Sequence, residues 1–219
     1  MSTASEIWLY GSAARGDTDG VSDVDVLVAG ELDEARLARV PYPRSLLSVV
    51  RYDWEELDFM ASYGSLFLHH VCLEGRPLLP RNDSRLAAIL KALPPYGRAA
   101  RELSSFTAVL DDVERSLCED HAPAFELSVI ATALRHSCIL GCYGLGQPTF
   151  GRRSAFAVFL SQTGFEELID EAQQLYEFRL YEDERAPAPF PASTEDVLTW
   201  LDRAREIIGA VEEALVGSD

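Results

Sequence analysis

Two aspartates, Asp23 and Asp25, stand one residue apart in the apolar stretch DVDVLV. Unpaired carboxylates are costly in a buried strand, so their placement needs a chemical reason. Because side chains alternate along a strand, both carboxylates face one side, roughly 6.6 Å apart along the backbone, and the intervening valines face the other. Paired carboxylates can hold the Mg²⁺ ions that act in phosphoryl or nucleotidyl transfer. The spacing therefore predicts a divalent-cation site.

A turn of small residues, Gly11-Ser12, lies shortly before the aspartates. It follows the apolar segment IWLY and precedes AARG, which can form a first helical turn. Such a turn points backbone N–H groups outward, and the helix dipole adds positive potential, so the pattern predicts a phosphate cradle with Ser12 as an extra hydroxyl donor. Arg15 lies one turn beyond Ser12. Its guanidinium either reaches a bound phosphate or remains on the helix surface.

The whole stretch GSAARGDTDGVSDVDVLV resembles the signature of the DNA polymerase β-like nucleotidyltransferase superfamily. It is especially similar to the minimal bacterial members, in which GS-x-ARG and SD-x-D recur. The resemblance implies that Gly11, Ser12 and the nearby backbone bind the triphosphate of an NTP, with ATP as the first candidate. It further implies that Asp23 and Asp25 are catalytic and hold Mg²⁺.

One feature of that family is missing at the expected position. Members usually carry a third carboxylate on the next strand, which binds a metal and helps to deprotonate the attacking hydroxyl, whereas the aligned residue here is Ser48. Asp53 and Asp58 lie nearby but are explained as a helix cap and a helix-surface residue. Aminoglycoside nucleotidyltransferases take a base from their helical domain, and Glu126 in the segment AFELSVI is a candidate substitute.

Two functions follow from these features. The first is a Mg²⁺-dependent nucleotidyltransferase that moves an NMP from an NTP to a hydroxyl of a small molecule, a protein or an RNA end and releases pyrophosphate. The alternative is a nucleotide-binding regulator, or an antitoxin or defence-type module, with little or no turnover because Ser48 replaces the third carboxylate.

The elements around these residues predict an α+β domain over residues 1–93. Strand signals occur in IWLYG, VDVLVA and RSLLSVVRY, with an edge strand in RPLLP. Helices are predicted from Asp53, where Glu56 completes a capping box, and over SLFLHHVCLEG and NDSRLAAILKAL. Together these elements predict a small mixed sheet with helices. The breaker cluster LPPYG ends the domain.

Helical signals dominate residues 94–219, which are predicted to form a bundle of five helices. The last helix is the clearest, because Ser193 or Thr194 can cap it and apolar residues recur at helical spacing. Its predicted stripe is Val197, Leu201, Ala204, Ile208, Val211 and Leu215. Cys138 and Cys142 lie one turn apart on another helix, where they are predicted to be small buried side chains.

Composition limits the partners. The formal net charge is −17, divided as −5 over residues 1–93 and −12 over residues 94–219, so long nucleic acid is disfavoured. No apolar run approaches the roughly 18–20 residues of a membrane helix, and the first residues lack a signal-peptide pattern. Four sparse cysteines suit a reducing compartment, so a cytoplasmic protein without membrane contact is expected. A homo-oligomer is compatible with the sequence.

Overall fold

A computed structural model describes residues 5–18, 23–79, 82–117 and 122–217. The chain divides into two compact units, Met1–Arg98 and Ala99–Asp219. The division falls a few residues after the boundary predicted at residue 93, because the breaker segment packs on the first unit. The Gly97 N–H donates to the Tyr63 carbonyl at 2.9 Å, and Nε2 of His69 lies 3.1 Å from the Pro94 carbonyl oxygen.

The first unit contains a mixed sheet of four strands in the order β3-β2-β1-β4, as far as the described residues extend. Strand β1 runs antiparallel to both β2 and β4, whereas β2 runs parallel to β3. The predicted α+β class with a small mixed sheet is therefore confirmed. The strands are β1 (Glu6–Leu9), β2 (Val24–Ala29), β3 (Leu47–Tyr52) and β4 (Arg76–Pro77).

Helices cover both faces of this sheet. The face that carries Leu27 and Ala29 of β2 packs against the last three helices of the unit, while the valines of β2 pack on the other side with the first two. As predicted, Asp25 and the valines of β2 therefore lie on opposite faces of the sheet. The helices are α1 (Gly11–Arg15), α2 (Glu34–Leu37), α3 (Trp54–Ser62), α4 (Leu66–Glu74) and α5 (Arg85–Lys91).

Side-chain caps fix where several of these helices begin. The capping box predicted for Asp53 and Glu56 is present at α3. A buried carboxylate supports α5, since Glu6 on β1 is 4% exposed and accepts a hydrogen bond from the Arg85 N–H at 2.7 Å. The Ser84 hydroxyl also donates to Glu6. Glu6 therefore ties the start of the sheet to the start of α5.

The second unit is helical. Six α-helices are described where five were predicted, because the segment from Phe165 to Asp183 is divided at Tyr176. The Arg179 N–H bonds to the Tyr176 carbonyl at 3.1 Å, a three-residue hydrogen bond that tightens the helix there. The helices are α6 (Ala99–Ser116), α7 (Pro123–Gly144), α8 (Ser154–Gln162), α9 (Ile169–Leu175), α10 (Glu177–Glu182) and α11 (Thr194–Val216).

Helix α7 is the central helix of this unit and packs against α6, α8, α10 and α11. Its length and composition would allow it to cross a membrane, contrary to the prediction from the sequence. However, 72% of its most apolar stretch is buried inside the protein. Cys138 and Cys142 are fully buried on it, as predicted. The Ser193 cap of α11 is confirmed, and five members of the predicted stripe are buried: Val197, Leu201, Ala204, Ile208 and Val211.

Candidate active site

The turn between β1 and α1 brings Gly11 and Asp25 into direct contact. Gly11 has φ +69°, a backbone conformation that side chains with a Cβ rarely adopt. A Cβ added there would lie 2.5 Å from Oδ2 of Asp25. The Tyr10 N–H also donates to the backbone carbonyl of Asp25 at 3.1 Å, which extends the β1–β2 pairing to this point. The Asp25 carboxylate therefore lies against the backbone at the start of α1.

Asp25 is half-buried and faces the same side of the sheet as Leu27. Its in-register neighbour on β3 is Ser48, the residue aligned with the missing third carboxylate. Burial raises the pKa of the Tyr10 phenol, and the negative charges of Asp25 and Tyr52 raise it further. The phenol of Tyr10 is therefore protonated at neutral pH.

Asp23 is half-buried and immediately precedes β2. If the alternation of β2 extends back to Asp23, its side chain lies on the same side of the sheet as Asp25, and this placement stays a prediction. The connection from α1 to Asp23 includes residues 19–22, which lie outside the described residues. Among the residues that the structure describes, no cluster of three or more His, Cys, Asp or Glu side chains is suited to hold a metal.

A pair of carboxylates is nevertheless a donor set that suits Mg²⁺. This ion commonly takes one or two protein carboxylates and completes its octahedron with water and substrate phosphate oxygens. Glycine at position 11 supports this assignment, because it leaves space beside Asp25 that a Cβ would fill. Asp23 and Asp25 are therefore the residues that would hold the ion.

Ser12 and Arg15 occupy one face of α1, since residues three apart are neighbours on a helix. Both are half-buried. The guanidinium of Arg15 makes two ion pairs, from Nη1 to Oε2 of Glu74 at 2.6 Å and from Nε to Oδ2 of Asp17 at 3.0 Å. Burial lowers the pKa of Arg15, but its hydrogen bonds to Asp17 and Glu74 outweigh that effect and raise the pKa overall.

The partner Glu74 was missed by sequence reasoning. It is the last residue of α4, its side chain is 8% exposed, and its Oε2 also lies 2.8 Å from Nε2 of His70. Arg15 and Glu74 are 59 residues apart in the chain, and no local spacing connects them. Arg15 therefore stands in a network that links α1 to α4, while its proposed role toward phosphate stays a prediction.

Glu126, the candidate base, belongs to the helical unit. It lies in the first turn of α7, is 2% exposed, and accepts a hydrogen bond from the Ser116 hydroxyl at 2.7 Å. No partner is present for its other carboxylate oxygen within the described ranges. A carboxylate enclosed in this way must become exposed before it can accept a proton from a substrate. We therefore assign Glu126 no role in the transfer reaction.

A comparison with known protein families matches the part of the chain that contains the candidate site. Residues 2–62 match the family model described as nucleotidyltransferase domain, a segment that runs from before β1 to the end of α3. It includes all of the candidate residues except Glu126. No curated protein matches the chain significantly. The match of residues 2–62 to a nucleotidyltransferase domain is consistent with a member of the polymerase β-like superfamily that the sequence resembles.

Proposed function

We propose that this protein is a Mg²⁺-dependent nucleotidyltransferase that transfers an NMP from an NTP, with ATP as the first candidate, to a hydroxyl acceptor. The observation that supports this most is the contact between the Asp25 carboxylate and the backbone of Gly11. In the proposed site, Asp23 and Asp25 hold Mg²⁺. Ser12, the backbone of α1 and Arg15 bind the triphosphate.

The charges of the site support a requirement for a cation. Arg15 is the positive group of α1, and it is already paired with the carboxylates of Glu74 and Asp17. Asp23 and Asp25 add further negative charge beside the turn. A triphosphate brought here without a cation would meet repulsion that is strong in a partly buried site. Mg²⁺ would supply charge neutralisation and a template for the phosphate oxygens.

In the proposed reaction, the acceptor hydroxyl oxygen attacks the α-phosphorus of the NTP, and the proton of that hydroxyl is released to solvent water. The bond from the α-phosphorus to the bridging oxygen breaks, and pyrophosphate leaves with that electron pair. The chain contributes mainly orientation and charge stabilisation. The acceptor class is a small molecule, a protein side chain or an RNA end; the net charge of −17 argues against long nucleic acid.

A second candidate function has its own observation. Ser48 stands in register beside Asp25 on the neighbouring strand, and a hydroxyl there neither holds a metal as a carboxylate does nor accepts the acceptor's proton at neutral pH. The protonated phenol of Tyr10 does not replace it. A nucleotide-binding regulator with little turnover is therefore the alternative to a vigorous enzyme.

Transfer of label from an α-³²P-labelled NTP separates these two functions. For the enzyme, we expect transfer to an added acceptor pool, or to the protein itself, that is lost in Asp23→Asn and Asp25→Asn. For the regulator, the wild-type protein binds Mg·ATP but transfers no label. Absence of both binding and transfer for all four NTPs would contradict both functions.

A further inference from the structure

The ion pair between Arg15 and Glu74 fixes the direction in which the remaining donors of Arg15 point. A guanidinium has five N–H donors in a rigid planar fork. The contacts to Glu74 and Asp17 use Nη1 and Nε. Within the part of the chain that the structure describes, no acceptor takes the Nη2 amino group. Because two nitrogens of the planar group are held by Asp17 and Glu74, the position of Nη2 is fixed as well.

Glu74 is suited to hold another side chain because it is itself fixed. One carboxylate oxygen, Oε2, is shared by Nη1 of Arg15 and Nε2 of His70. The next residue, Gly75, donates its N–H to the Val71 carbonyl at 2.7 Å, and a Cβ at Gly75 would lie 2.3 Å from that oxygen. Helix α4 therefore ends tightly at Glu74.

We propose that Glu74 is a positioning residue that holds Arg15 so that the free edge of its guanidinium binds the triphosphate. This inference rests on the proposed function, since it assigns Glu74 a role in binding the same NTP. The geometry also predicts a difference between Arg15 and a lysine. The ammonium group of a lysine is a point charge without a rigid planar set of N–H donors, so a carboxylate cannot fix the direction of its donors in this way.

The opposite role for Glu74 has a distinct consequence. If Glu74 competed with phosphate for Arg15, its removal would strengthen nucleotide binding. If it positions Arg15, its removal weakens binding, because the guanidinium becomes free to leave the helix face and must be ordered again when the nucleotide binds. The direction of the change in Kd therefore separates positioning from inhibition.

Calorimetric titration with Mg·ATP tests the proposal, using Glu74→Gln, Arg15→Gln and the double variant. We expect each single substitution to raise Kd about tenfold, which corresponds to about 1.4 kcal/mol. The double variant is expected to raise Kd no further than Arg15→Gln alone, because Glu74 acts through Arg15. If labelled transfer is detected, KM should rise with little change in kcat, since Glu74 does not touch the reacting atoms.

Two further variants separate positioning from folding. Glu6→Gln alters another buried carboxylate of the same unit, which supports α5 and not α1. We expect it to lower stability and leave the Kd for Mg·ATP unchanged. Arg15→Lys keeps the positive charge and the contact with Glu74 within reach, but it should still raise Kd about as much as Glu74→Gln. It provides a test even if Glu74→Gln fails to fold.

The outcomes distinguish the inference from the function on which it rests. A wild-type protein that does not bind Mg·ATP or the other Mg·NTPs overturns both. A wild-type protein that binds, together with Glu74→Gln binding equally or more tightly, overturns the positioning role alone. Arg15→Lys with wild-type affinity also overturns it, because a fixed fork would then be unnecessary.

Discussion

Replacing Gly11 with alanine perturbs the contact on which the site depends. The new Cβ would lie 2.5 Å from Oδ2 of Asp25, whereas ordinary contacts of a Cβ begin at 3.4 Å. The carboxylate must therefore move by about 1 Å, a shift larger than the roughly 0.5 Å tolerance of a functional site. Because Asp25 is a proposed Mg²⁺ ligand, we expect Gly11→Ala to weaken the binding of Mg·ATP at least about tenfold.

The same substitution also lowers stability through two separate terms. An alanine in the left-handed backbone conformation costs about 1–2 kcal/mol. Displacing the Asp25 side chain from its rotamer adds about 0.5–1.5 kcal/mol. The expected loss in the free energy of unfolding is therefore about 1.5–3.5 kcal/mol.

Gly16 provides a matched control at the other end of the same helix. It has φ +81°, and a Cβ there meets nothing within 4 Å. Gly16→Ala should therefore show the backbone cost of about 1–2 kcal/mol and nothing more, with unchanged affinity for Mg·ATP. The effect of alanine on the unfolded chain is similar at both positions, so the difference between the variants isolates the contact with Asp25.

Denaturant unfolding and calorimetric titration of the two variants measure these quantities side by side. We expect Gly11→Ala to be the less stable of the two variants and the one with weakened Mg·ATP binding. Equal stability and equal affinity in Gly11→Ala and Gly16→Ala would refute it, because Asp25 would then not depend on a glycine at position 11.

Three further predictions concern other parts of the chain. Ser48→Asp places a carboxylate in register with Asp25. If the missing carboxylate limits turnover, we expect this substitution to raise the rate of labelled NMP transfer. An unchanged or lower rate at saturating Mg²⁺ would show that the missing carboxylate does not limit turnover. Glu6→Gln removes the charge that accepts hydrogen bonds at the start of α5, so chemical denaturation should show a loss of about 1.5–3 kcal/mol, and a loss near zero would contradict the capping role. Burial raises the pKa of the Cys142 thiol to about 11 and raises the pKa of Cys138 well above its usual range. At pH 8, neither thiol should therefore react with a thiol reagent until the protein unfolds. The exposed Cys72 should react at once. Mass spectrometry after timed alkylation checks this, and rapid labelling of Cys138 in the folded protein would be inconsistent with its burial.

Local signals in the sequence were sufficient for much of the first unit. The alternation of apolar residues over Val24 to Val28 predicted β2 and the face on which Asp25 lies. The capping signal at Asp53 predicted the start of α3 because a cap depends only on residues within one turn. The alignment of Ser48 with the missing carboxylate also agrees with its register beside Asp25.

Contacts between distant residues were not predictable in the same way. The pairing of Arg15 with Glu74 depends on how α4 packs against α1, which no spacing in the sequence encodes. Glu126 was considered as a base because aminoglycoside nucleotidyltransferases take a base from their helical domain, but tertiary packing encloses its side chain beside Ser116. The division of the predicted fourth helix at Tyr176 likewise has no proline or glycine to mark it.

Titration of ATP into the protein, with Mg²⁺ and again with EDTA, tests most directly whether the two aspartates bind nucleotide through Mg²⁺. We expect the wild-type protein to bind ATP only when Mg²⁺ is present, and we expect Asp25→Asn to lose that binding. Equal affinity for ATP in EDTA, or wild-type affinity of Asp25→Asn for Mg·ATP, would contradict it.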